Sequence, residues 1–185
     1  MVSLRLDLLK KRNPYCYNRK TNQSLTTNWS RRVGDMAKIR INSIMKNPSL
    51  CDGYGYRTVV FLQGCDLHCP GCHNQRTWDM GKGVEMEVSE LSSVIREACL
   101  NKKLTISGGE PLLQKEALEE LLESLSDFDL CLYTGHELED VPNSILRYLK
   151  YIKVGRFVLE KRTSTQPFIG STNQKFMRVN HEKAE

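Results

Sequence analysis

Three cysteines, Cys65, Cys69 and Cys72, fall within eight residues of the stretch GCDLHCPGCHN at positions 64–74. Thiols at that density are ligands for a soft metal centre. A structural zinc site normally uses four ligands in two pairs a dozen or so residues apart, so that two turns face each other across the ion. Here His68 and His73 each sit directly beside a ligand cysteine, an awkward place from which to reach the same metal. An ordinary 4Fe-4S cube takes four cysteines, yet Cys16, Cys51, Cys99 and Cys131 form no motif. Cys99 and Cys131 lie in apolar patterns and read as core residues. Three thiolates on a 4Fe-4S cube would leave one iron open to a further ligand. A zinc knuckle completed by a histidine is the competing reading.

A second signal is SGGEP at residues 107–111. As plain structure it is a strand-to-helix turn, with glycines for the tight bend, Glu110 near the positive end of a helix and Pro111 at its first position. As a site it offers Gly108 and Gly109, where backbone free of side chains can approach a bound amino acid.

Both motifs need elements to position them. Residues 38–44 read as a strand, and DGYGYR at 52–57 as a tight turn. The apolar run TVVFLQG at 58–64 suits a strand buried in a parallel sheet. The cysteine loop follows at its C-terminal end. Helices are expected over about 88–100, 112–125 and up to 148, alternating with strands at 103–107, 129–135 and 151–155. Such alternation implies βαβ units around a mainly parallel sheet, an α/β fold whose ligand site lies at the C-terminal strand ends. The cysteine loop, SGGEP, the Thr134-Gly135 pair and Val154-Gly155 all fall at those ends.

The chain has 185 residues, 39% of them hydrophobic and 26% charged with both signs interleaved, which excludes disorder and gives no span for a bilayer. The net charge of +5 is uneven: residues 1–40 carry ten basic against two acidic side chains, and the remainder 17 against 20. Residues 1–35 are polar and basic without periodicity, and are expected to form a flexible N-terminal extension, with one domain over 36–185. The body is not a nucleic-acid binder. With seven cysteines and no secretory signal, the expected compartment is the cytoplasm.

The pairing of CxxxCxxC with GGEP resembles the radical S-adenosylmethionine (SAM) superfamily. RTVVFLQGCDLHCPGCHNQRTWD, TISGGEPLLQ, YTG, YIKVGRF and GSTNQ further resemble the activating proteins of anaerobic ribonucleoside-triphosphate reductases, over about residues 38–179. The resemblance implies a truncated (β/α) barrel and one 4Fe-4S cluster held by Cys65, Cys69 and Cys72. It implies SAM bound at the open iron, with Gly71, Cys72 and His73 near its adenosine and Gly108, Gly109, Glu110 and Thr134 around its methionyl side. It also implies reductive cleavage of SAM to a 5′-deoxyadenosyl radical, which takes a hydrogen atom from a glycine of the reductase. The partners are then that reductase and an electron donor such as a flavodoxin or ferredoxin. No side-chain acid or base is required, because the cofactor carries the chemistry.

Two positions depart from the family pattern: Tyr54 stands where Asp-Gly-Pro-Gly would place proline, and Val154 where many members carry an acid. Met36 opens AKIRINSIMKN, which resembles the usual beginning of these chains. The alternatives are an activase of the pyruvate formate-lyase type, a radical SAM enzyme acting on a small heterocycle, and, from another class, a zinc-binding interaction module.

Overall fold

The computed structural model describes residues 37–180, so the extension expected over 1–35, and Cys16 with it, lies outside the described residues. The elements run β1 (Lys38–Ser49), β2 (Arg57–Leu62), β3 (Val84–Glu87), α1 (Val88–Ala98), β4 (Lys103–Gly108), α2 (Lys115–Ser124), β5 (Asp129–Tyr133), α3 (Asn143–Leu146), β6 (Tyr151–Val154) and β7 (Lys175–Arg178). They form one seven-stranded sheet in the order β3-β1-β2-β4-β5-β6-β7. Its centre, β2-β4-β5-β6, is parallel throughout. β1 runs antiparallel to both β2 and β3, and β7 antiparallel to β6. The α/β class holds, as a truncated (β/α) barrel whose sheet ends on β3 and β7 without closing.

Strand alternation gives the parallel centre two different faces. On one, Val60, Ile106, Leu132 and Ile152 stand in register, all of them fully buried. The buried sides of α1 (Leu91, Ile95) and α2 (Leu118, Leu121, Leu122) complete this aliphatic core. On the other face Phe61 pairs in register with Ser107, and Tyr133 with Lys153. That row is mixed and polar, which an aliphatic core would not tolerate without partners. The continuous apolar run of β2 therefore serves two environments: a dry helix layer and the concave inner face of the barrel.

Four elements differ from the sequence reading. The helix expected from 112 begins as a 3-10 turn, Pro111–Gln114, before α2. The one expected up to 148 reduces to a 3-10 turn, Leu138–Asp140, and the single turn α3, because Pro142 interrupts it. β3 and β7 were not expected: each has four residues and lies at a sheet edge, too short for alternation to register. Cys99 and Cys131 are core residues, 2% and 0% exposed.

The lower end of the inner face is closed by Arg57, which is fully buried. Its guanidinium donates to Thr105 Oγ1 at 2.8 Å, to the Leu104 carbonyl at 2.7 Å and to Asp129 Oδ1 at 3.0 Å, joining β2, β4 and β5 at their N-terminal ends. Asp129 is held in turn by Lys150 at 2.9 Å. Removing the guanidinium strands several acceptors at once. Arg57→Met should lower the unfolding free energy by about 3 kcal/mol, measured by denaturant titration of the anaerobically purified protein. A loss under about 1 kcal/mol would show that water replaces these bonds freely.

Candidate functional site

The cysteine loop is a closed ring built on backbone bonds. At its base Gly64 N–H donates to the Thr77 carbonyl at 2.7 Å and Cys65 N–H to that of Trp78 at 3.0 Å. Within it, Cys72 N–H donates to the Cys69 carbonyl, and a 3-10 turn, Gln75–Thr77, brings the chain back. Cys69 is buried, Cys65 and Cys72 half-buried, and all three thiols are free. Asn74 N–H lies 3.4 Å from Cys72 Sγ. Burial pushes the Cys65 thiol above its ordinary pKa, while the amides of Leu67 and His68 act against that. Among the described residues, no three His, Cys, Asp or Glu side chains converge on a site for a single metal ion. Tetrahedral zinc, with Zn–S of about 2.3 Å, needs sulfurs within about 4 Å of one another. Three free soft thiols in one pinned loop are the donor type that an iron-sulfur cluster takes.

SGGEP lies against the base of this ring. Gly109 N–H donates to the Leu62 carbonyl at 3.0 Å and Glu110 N–H to that of Gly64 at 2.7 Å. A Cβ at Gly109 would stand 1.9 Å from Gly64 O, and one at Gly108, whose φ is +122°, would stand 2.3 Å from Leu62 N and O. On the Cβ side of both glycines the chain's own backbone leaves no room for a side chain. Glu110 is fully buried, and its carboxylate accepts from Leu112 N–H at 2.9 Å, Thr134 Oγ1 at 2.8 Å and Gly135 N–H at 2.8 Å. The Thr134 oxygen also accepts from His136 N–H. Glu110 and Thr134 thus tie the end of β4 to the end of β5. Gly71, with φ +72°, and His73 are exposed, Gly71 against Leu159 and His73 6.3 Å from the Phe157 ring.

Several positioning residues were given no role in the sequence reading. Gln63, fully buried, donates through Nε2 to the Asp79 and Arg76 carbonyls and accepts from Asn42 Nδ2. Gln114 donates to the carbonyls of Gln63 and Arg40 and accepts from Arg40 N–H, so it fastens the end of β2 to β1. Arg156, following β6, donates to the Leu67 carbonyl inside the ring. A glutamine ending an apolar strand was the only available sequence signal for Gln63. Gln114 and Arg156 act across 51 and 89 residues of chain, beyond any local pattern.

A cavity of about 530 Å³ opens on the inner face at the C-terminal strand ends. Phe61, Ser107, Tyr133 and Lys153, one from each parallel strand, form its wall, and His73 and Asn74 of the cysteine ring also line it. Segments 50–52 and 164–170 complete the lining. Cysteine ring, glycine turn and cavity therefore share one edge of the sheet.

A family model described as a 4Fe-4S single cluster domain matches residues 51–177. The anaerobic ribonucleoside-triphosphate reductase-activating protein of Vibrio cholerae is 30% identical over 136 residues, covering 66% of this chain and 88% of its own. That of Enterobacteria phage T4 is 32% identical over 139 residues, 68% of this chain and 87% of its own. The pyruvate formate-lyase-activating enzyme of Clostridium pasteurianum is 45% identical, but over 89 residues that make up 37% of its length. Near-complete coverage of the shorter relatives, together with a cluster-domain match that takes in the ring and the cavity, makes this chain a member of the family of anaerobic ribonucleoside-triphosphate reductase-activating proteins.

Proposed function

We propose that the protein activates an anaerobic ribonucleoside-triphosphate reductase by generating a glycyl radical on it. The observation that carries this reading is the three-thiol ring at the mouth of a cavity on the inner face of the barrel. Cys65, Cys69 and Cys72 would hold one 4Fe-4S cluster, and SAM would lie at the same edge, among Gly71, His73 and the residues around Gly108, Gly109, Glu110 and Thr134. When bound, cluster and SAM together supply a one-electron reductive cleavage whose 5′-deoxyadenosyl radical removes hydrogen from the partner's glycine.

The chain's own contribution is positioning. The Gly64–Thr77 and Cys65–Trp78 bonds fix the ring, and the Glu110 N–H to Gly64 carbonyl bond ties it to the glycine turn. Glu110 and Thr134 lock the next strand end at the same height. The Asn74 amide, 3.4 Å from Cys72 Sγ, orients that sulfur within the ring. A cavity of about 530 Å³ admits a loop, not a domain, so a glycine-bearing loop of the reductase would close the open edge and exclude water. The electron would come from a flavodoxin or ferredoxin, and the free thiols suit the cytoplasm. No helix among the described residues is long and apolar enough to cross a membrane. An activase of the pyruvate formate-lyase type is disfavoured by the short span of that match.

Anaerobic incubation with SAM and a reductant should yield 5′-deoxyadenosine and, with the reductase present, a glycyl radical signal in electron paramagnetic resonance. Ala at Cys65, Cys69 or Cys72 should abolish cluster absorbance and SAM cleavage, whereas Cys51→Ala should retain both. A radical formed on pyruvate formate-lyase and absent from the reductase would sink the assignment.

Gly109 gives a separate test of positioning. Because its missing side chain makes room for Gly64 O, Gly109→Val should push the ring from its seat and reduce bound iron and sulfide to well under half the wild-type content. Full iron with only SAM affinity reduced would mean that the glycine serves the ligand directly and not the ring.

A further inference from the structure

Lys153 stands at the C-terminal end of β6 and lines the cavity beside Tyr133, its register partner on β5. Its Nζ lies 4.3 Å from the Tyr133 ring centroid, a cation–π contact that holds the ammonium within the inner face. Among the described residues it makes no ion pair, although Lys38, Lys82, Lys102, Lys115 and Lys150 each have one. The Tyr133 hydroxyl in the same wall is buried with no hydrogen-bond partner, and Tyr133 as a whole is 7% exposed. A cation without an ion pair beside a buried phenol without a hydrogen-bond partner is costly, and a ligand that brings acceptors would satisfy both. Burial lowers the Lys153 pKa from the ordinary lysine value, with Asp52 opposing that first; a further anion beside it would act in the same sense as Asp52.

We infer that Lys153 is the anchor of a carboxylate-binding subsite in the cavity, with the Tyr133 ring positioning its ammonium. Lys153 is the only lysine or arginine among the lining residues, and a single positive charge matches a monovalent carboxylate better than a phosphate. Both residues lie in stretches that carry the family resemblance, YTG and YIKVGRF, but the sequence reading gave neither of them a role. The inference rests on the function proposed above, which brings one carboxylate to this edge on the methionyl group of SAM. An acidic side chain on the reductase loop entering the cavity is the other source of the same chemistry.

The test uses anaerobically reconstituted holoenzyme and equilibrium binding of SAM and of decarboxylated SAM, alongside affinity for the reductase. Lys153→Met should weaken SAM binding about tenfold or more, the scale of a hydrogen bond to a charged group, with decarboxylated SAM unaffected and iron content unchanged. Lys153→Arg should recover most of the loss, which a merely structural role would not predict. If SAM binding is unmoved but reductase affinity falls, the subsite stands and its carboxylate is the partner's. If Lys153→Met changes neither, or weakens both SAM forms equally, there is no carboxylate subsite. Failure of the wild type to bind SAM would count against the proposed function, while the reductase arm would still decide the role of Lys153.

Discussion

The site depends on one close approach of backbone to backbone, where the turn after β4 passes the end of β2. Gly109 and Gly64 come so near that a single methyl group would lie 1.9 Å from a carbonyl oxygen. Hydrogen bonds from Gly109 to Leu62 and from Glu110 to Gly64 continue the β2–β4 ladder beyond the regular strands. The base of the cysteine ring is thereby an extension of the sheet and not a free loop. Rigid elements hold ligands more tightly than loops do, because their geometry is over-determined by many bonds. The ring inherits that rigidity through two residues that lack side chains.

The rest of the inner face follows from the need to keep such an edge open while the other end is sealed. At the bottom, the Arg57 guanidinium and the Asp52 carbonyl, which accepts from Thr105 Oγ1 at 2.6 Å, occupy the space between strands. The turn that carries Asp52 is held by aromatic contact: the Tyr54 ring lies 5.4 Å from Tyr151, 5.0 Å from Phe168 and 5.7 Å from Phe176. Tyr54 stands where the family pattern has proline. Ring packing against β6, β7 and the 164–170 segment supplies here, by tertiary contact, a restraint that proline would supply through its fixed φ.

Much of this was legible in the sequence, for identifiable reasons. β2, β4 and β5 are apolar runs bounded by glycine or charged residues, and a strand buried on both faces leaves that signature. Three cysteines in one loop and a GGEP turn announced the site edge, because their spacing departs from both common zinc and common ferredoxin patterns. The short edge strands β3 and β7 were not legible, since four residues with at most one buried side chain carry too little periodicity. Gln63, Gln114 and Arg156 were not legible either, because each acts on backbone that only the fold brings near. Glu110 was legible in place but not in its bonds. As plain structure it reads as a residue favoured by a helix end, and it does cap that turn through Leu112 N–H, yet two of its three bonds reach across to β5.

Val154, the other departure from the family pattern, belongs to the opposite side of the sheet from the cavity wall. It is 1% exposed, and by alternation it shares the helix-covered face with Ile152, while Lys153 turns inward. An acidic residue at this position would be buried against aliphatic side chains unless the strand end were rebuilt, so valine agrees with the local packing. The charge that this strand end presents to the cavity is then positive, carried by Lys153 one residue earlier. In this chain the end of β6 therefore brings a lysine, not an acid, to a cavity whose lining also includes Asp52, and the alternation of one short strand decides which of its side chains meets the site.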